Sequence, residues 1–308
     1  MIYIFRLIRI WNLLFIVGSM LGIAYYIFEN NSFQKIDFSI FDYSLYIFTT
    51  LIITAAGNMI NDYFDIKADR INKPEQLIVS KYLKKRWAIL FHLILNSIAV
   101  LISIYLSLKY NSFLFVFIHL ASMNLLWFYS IYLKRKIIIG NLTMAFLGSC
   151  IPLLAVWFFR IANESTKTFS SYDPETWTTH LDYSFIYFLS ICTFLQFLAH
   201  EILKDINEIN GDKIINVYSL PMKYGVNCSS WVAMILLQTP LFITFILFGF
   251  SYIDLTNIAL IILIFAGLIN LFIFVYSGFI NDLDYKIISI LLKISLILPF
   301  ISLFFNSK

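Results

Sequence analysis

The sequence predicts an all-α polytopic membrane protein, and three observations carry that reading. Hydrophobic residues make up 60% of the 308 and charged residues only 13%. The mean hydropathy is +0.83, and the apolar residues fall in long runs separated by polar breaks. A soluble domain carries about twice that share of charge. A hydrocarbon core about 30 Å thick takes roughly 20 apolar residues per spanning helix, and nine runs of that order are present. They cover residues 10–28, 43–60, 87–107, 112–132, 138–159, 183–199, 231–250, 255–277 and 287–305.

Arg6 and Arg9 precede the first run, which is long and is followed by no small-residue cleavage site, so it reads as a retained helix. With that terminus inside, sixteen Lys and Arg fall on the inner side, seven of them between Lys67 and Arg86. The outer side holds five, Lys35, Lys109, Arg160, Lys167 and Lys308, while Lys293 lies within the ninth run. The bias places the amino terminus inside and the carboxyl terminus outside. The net charge of +4 is then a topological signal, with no basic domain of the kind that binds nucleic acid. Cys150, Cys192 and Cys228 are isolated and in or beside apolar segments, which reads as inert thiols.

Two inner connections, about 61–86 and 200–230, are long and acidic. The second run closes on NMINDYFDIKADR (58–70), with Asp62, Asp65 and Asp69; the sixth is followed by HEILKDINEINGDK (200–213), with Glu201, Asp205, Glu208 and Asp212. The spacings D-x2-D-x3-D and D-x2-E-x3-D match, and on a helix each set falls on one face. Three like charges within two turns repel unless something neutralises them. Hard oxygen ligands without His or Cys point to Mg2+, which binds one or two carboxylates together with substrate phosphates. That in turn implies a diphosphate substrate. Lys67, Arg70, Lys73, Lys204 and Lys213 flank the acids and supply charge for phosphate oxygens. A zinc-protease reading of His200-Glu201 fails because the fourth position after His200 is Lys204. A third polar stretch, YSIYLKR (129–135), ends the fourth run on the same side.

Together these stretches resemble the UbiA superfamily of intramembrane prenyltransferases, over most of the chain. The family's N-D-x-x-D-x-x-x-D is met by Asn61, Asp62, Asp65 and Asp69, with Asn58 upstream; its second motif is met by Asp205, Glu208 and Asp212, with Lys204 before it and Gly211 within. Glu208 stands where Asp is usual. The Y-S-x-x-L-K and following G-N are met by Tyr129, Ser130, Leu133, Lys134, Gly140 and Asn141. The DIKADRINKP and KDINEINGD segments look most like the geranylgeranylglyceryl-phosphate geranylgeranyltransferase branch. The continuation NKPEQLIVSK departs from N-R-P-x-R-P-x-x-S-G at Lys73, Gln76, Leu77 and Lys81, and His200 stands where Arg is frequent.

The resemblance implies one transmembrane domain over residues 1–308, a UbiA-type bundle of nine helices. It implies metal and catalytic roles for Asp62, Asp65, Asp69, Asp205, Glu208 and Asp212. The diphosphate would be met by Asn58, Asn61, Arg70, Lys134 and Lys204, with Tyr129, Lys73 and His200 accessory or facing the acceptor. The implied reaction is Mg2+-assisted ionisation of a prenyl diphosphate, geranylgeranyl before others, and capture by a lipid-phosphate acceptor such as geranylgeranylglyceryl phosphate or by an aromatic one, in a bacterial or archaeal cell membrane whose lipids are the protein's partners. Three other readings stay open on the residues alone: prenylation of a quinone precursor, terpene cyclisation on the same fold, and a membrane transporter.

Overall fold

The structure, a computed structural model, describes residues 7–30, 38–75, 77–166, 183–253, 255–279 and 285–306. Arg6, Lys35, Gln76, Lys167 and Lys308 of the readings above lie outside them. Among the described residues the regular structure is helical apart from one isolated bridge, Val79 to Leu83. The helices are α1 (Ile10–Asn30), α2 (Ile40–Asn72), α3 (Lys85–Lys109), α4 (Leu114–Ile131) and α5 (Ile139–Thr166). They continue with α6 (Ser184–Asp212), the five-residue α7 (Leu220–Tyr224), α8 (Val226–Gly249), α9 (Asn257–Phe279) and α10 (Tyr285–Ile301). All but α7 are long and apolar enough to cross a membrane, nine among the described residues. In hydrocarbon every backbone N–H and C=O must be met inside the segment, which is why such runs become helices.

The nine apolar runs are helical over nearly all of their length, and the longest overruns are at the ends of two helices. The second run ends at residue 60 and α2 continues to Asn72; the sixth ends at 199 and α6 continues to Asp212. The acidic stretches are therefore the closing turns of long helices, and the connections shrink to 73–84 and 213–219. Side-chain polarity ends an apolar count without ending the i to i−4 ladder. What stops α2 is Pro74, which disfavours helical backbone at Lys73. A left-handed Asn216 (φ 55°) closes the 3-10 turn after α6.

The chain divides into two compact units. The first is drawn from Met1–Val17, Ser39–Leu147 and Glu201–Trp231. In it α2, α3 and α4 pack around Ile52, Ile53, Ala99 and Met123. A second cluster joins Leu7, Met59, Ile66, Ile78, Val79 and Ala88, so the segment before α1 and the connection after α2 both seat on α2. Leu77, one of the departures from the family pattern, packs against this cluster. Asp42, at the first turn of α2, is fully buried. It accepts from Tyr105 Oη (3.2 Å) and Tyr110 Oη (2.9 Å) and pairs with Lys109.

The second unit is drawn from Gly18–Phe38, Gly148–His200 and Val232–Lys308. Pro240 in α8 and Pro299 in α10 each remove a backbone donor from their helix. Amide side chains meet carbonyls at both places: Gln196 Nε2 donates to Ser295 O (3.4 Å), the carbonyl four residues before Pro299, and Asn270 Nδ2 donates to Leu237 O (3.1 Å). Both prolines, Gln196 and Asn270 line one small cavity of about 20 Å³.

Candidate functional site

Both acidic helix ends belong to the first unit, and one side chain fastens them together. Asn72, the last residue of α2, donates from Nδ2 to Glu208 O (2.9 Å) and accepts from Gly211 N at Oδ1 (2.8 Å). Position 211 has to be glycine for this: a Cβ there would stand 2.3 Å from Asn72 Nδ2 and 2.7 Å from Ala68 O. The closing turns of α2 and α6 thus meet backbone to side chain.

The third stretch reaches both ends. A 3-10 turn, Leu133–Arg135, follows α4 and carries Lys134. Gly140, at the start of α5, lets that helix close on the turn, since a Cβ there would come within 3.0 Å of Lys134 Cα. The result is that Lys134 Nζ pairs with Asp65 on α2, while Asn141 Nδ2 donates to Asp205 Oδ2 on α6 (2.9 Å). Asp62 and Asp69 on α2, and Glu208 and Asp212 on α6, all lie within electrostatic reach of Lys134. Burial opposes the charge on this lysine most strongly, but Asp65, Tyr129 and Glu208 together outweigh it and hold the lysine above its ordinary value.

Cations of the chain itself sit on several of these acids. Besides Lys134 on Asp65, Lys73 pairs with Glu208, Arg9 Nη2 is 3.1 Å from Asp62 Oδ1, and Lys204 Nζ is 3.0 Å from Glu201 Oε2. Glu208 and Lys73 are both departures from the family pattern, and they are each other's partner. Asn61 Nδ2 donates to Asp65 Oδ2 (2.9 Å), and Asn58 Nδ2 donates to Ile8 O (3.2 Å). Tyr129 is buried within electrostatic reach of Lys204, Glu201 and Lys134.

Other expected contributors stand elsewhere. Arg70 is exposed and its Nη2 reaches Ser80 Oγ (3.3 Å); Lys67 and Lys213 are exposed; Lys81 lies over the Tyr82 ring. His200, half-buried on α6, falls in the second unit. Four residues of the cluster were not singled out for it by spacing: Arg9, Asn72, Asn141 and Glu201. Asn72, Asn141 and Glu201 lay inside quoted stretches, whereas Arg9 carried no local signal beyond its charge.

Among the described residues no three acid, His or Cys side chains stand close enough to cage a metal ion by themselves. The donor chemistry nonetheless fits Mg2+, which takes only one or two carboxylates and completes its octahedron with water and phosphate. Two buried oxygens of the set, Asn61 Oδ1 and Asp212 Oδ1, have no hydrogen-bond partner. Buried acceptors without partners are rare and mark places where an ion or water belongs.

Residues 34–296 match the UbiA prenyltransferase family. A digeranylgeranylglyceryl phosphate synthase of Thermococcus sibiricus is 32% identical over 62% of this chain and 60% of its own length. One from Methanosphaera stadtmanae is 30% identical over 82% of each chain. Among solved structures, one concerned with digeranylgeranylglyceryl phosphate synthase in membranes has a TM-score of 0.64 at 22% identity, covering 99% of this chain and 97% of that one. A UbiA homolog from Archaeoglobus fulgidus bound to DMAPP and Mg2+ has a TM-score of 0.58 at 14% identity, covering 98% of each. At those identities the structural likeness is one of fold, and the sequence match carries the rest: the chain belongs to the UbiA prenyltransferase family.

Proposed function

We propose that the chain transfers a geranylgeranyl group from its diphosphate to the hydroxyl of geranylgeranylglyceryl phosphate, making an ether lipid. The observation that carries this reading is the 3-10 turn after α4 with the start of α5, whose Lys134 and Asn141 each engage one acidic helix end. A cation placed between two acid sets suits a ligand that brings both metal and phosphate. The names of the two relatives support the acceptor, although the chain spans only 60% of the Thermococcus protein. The DMAPP and Mg2+ held by the Archaeoglobus homolog support the donor class and the cation.

In this reading Asp62, Asp65, Asp69, Asp205, Glu208 and Asp212 are the metal-holding set. Mg2+, when bound, supplies Lewis-acid neutralisation of the departing diphosphate. Lys134 and Lys204, with Asn58 and Asn61, form the diphosphate-binding set, which Arg70 would join only on leaving Ser80, and Tyr129 and Lys73 are accessory or meet the acceptor. The allylic C–O bond breaks with its electron pair leaving on the diphosphate. The acceptor hydroxyl oxygen then forms the new C–O bond and gives its proton to water. Lysine charge aimed at the leaving oxygens acts where negative charge develops. The matched span, 34–296, includes residues of both compact units and supports reading residues 1–308 as one prenyltransferase domain. The excess of Lys and Arg on one side supports a cytoplasmic amino terminus and site in a bacterial or archaeal cell membrane.

The test is an assay of purified protein with geranylgeranyl diphosphate and Mg2+, offered geranylgeranylglyceryl phosphate or an aromatic acid. Diphosphate release and products are measured. The expected result is ether product that disappears with a chelator and in Asp65→Asn. Product from the aromatic acid alone would overturn the acceptor, and no metal-dependent consumption of the donor would overturn the reading altogether.

A further inference from the structure

Arg9 precedes α1 and belongs to none of the three motifs. Its backbone is left-handed, with φ 54°. For a residue with a Cβ that conformation is costly, and it persists only where the surroundings enforce it. The surroundings do so here. Leu7 is buried against Met59 and Ile66, Ile8 O accepts from Asn58 Nδ2 (3.2 Å), and Arg9 O accepts from Asn12 N (2.8 Å). The enforced turn carries the guanidinium to Asp62, within electrostatic reach of Asp65 on α2 and Glu201 on α6.

Balancing Asp62 needs only one charge and no strained backbone. A guanidinium carries five N–H donors in a planar fork suited to carboxylate and phosphate oxygens. Among the described residues one side-chain hydrogen bond of Arg9 is present, to Asp62, and the side chain keeps 36% exposure, so it is not sealed off from a ligand. We propose that Arg9 is a phosphate-binding residue of this site, held by Asp62 and presenting its other N–H donors to an oxyanion of a substrate. The oxyanion is that of the donor's diphosphate or that of the acceptor's phosphate. This rests on the prenyl-transfer reading and adds a residue from outside the family motifs to it.

The experiment is calorimetric titration of the full chain in lipid nanodiscs with inorganic pyrophosphate and, separately, with glycerol 1-phosphate, with and without Mg2+. Wild type is compared with Arg9→Asn, which removes the charge and tolerates left-handed backbone, and thermal unfolding is followed in parallel. Loss of a charge-assisted hydrogen bond to phosphate weakens binding about tenfold or more. Such a loss at an unchanged melting temperature is the expected result; the probe affected identifies donor or acceptor. Should Arg9→Asn fail to fold, Arg9→Gly, which also relieves the backbone, takes its place. Undiminished binding of both probes by the variant overturns the role of Arg9 alone, whereas a wild type that binds neither probe overturns the functional reading together with it.

Discussion

At position 211 a single hydrogen decides whether two helices can meet. The amide of Gly211 donates to Asn72, and a methyl group in place of that hydrogen would overlap both the Asn72 side chain and Ala68 O. Relief requires α6 to withdraw, which takes Glu208 and Asp212 with it. We expect Gly211→Ala to cost about 1–3 kcal/mol, the usual range for overpacking, and to lower prenyl transfer more steeply than stability. Thermal unfolding beside an initial-rate assay checks this; a fully active, less stable variant would mean the clasp has no bearing on the acids. The six motif acids were legible from spacing, because helical periodicity places i, i+3 and i+7 together. Asn72 was not, since its importance lies in what faces it 139 residues away in the sequence. Arg9 read as a topological charge for the same reason: its approach to Asp62 depends on a turn that tertiary contacts of Leu7, Ile8 and Asn58 hold in place.

The helices themselves were legible in number and order, because apolar length is a direct consequence of bilayer thickness. Their ends were less so. Counting stopped at residue 60, just short of Asn61 and Asp62, yet α2 ran on to Asn72 and α6 likewise to Asp212, and the difference moved both motifs from connections onto helices. Within the spans, prolines leave carbonyls that some neighbour has to satisfy. Gln196 does this for Ser295, the carbonyl that Pro299 deprives of its donor. Gln196→Leu should therefore destabilise the chain by about 1–3 kcal/mol, the penalty for an unmet buried polar group. Pro299→Ala, by restoring the backbone donor, should recover much of that loss in the double variant. Equal and additive losses in unfolding experiments would show that the amide serves only as packing.

At the scale of the whole chain, charge predicts the orientation and the family match supports the proposed chemistry, and the first can be tested without the second. With the three cysteines replaced, Glu75→Cys in the connection after α2 should react with a membrane-impermeant maleimide in inverted vesicles and resist it in intact cells. The opposite pattern would reverse the topology. The fold class and family were legible because both are written in local patterns. The pairing of Lys73 with Glu208 was not, because each looked like an isolated departure until folding brought them together. α2 is held at both extremities, at Asp42 by Tyr105, Tyr110 and Lys109, and at Asn72 by α6. One residue added between these anchors would turn everything beyond it by about 100° and advance it by about 1.5 Å. Neither anchor has slack to absorb that. Changes of chain length are therefore barred from residues 43–71 and confined to stretches such as 73–84, so that lineages of this protein should differ by substitution in α2 and by insertion and deletion only beyond its ends.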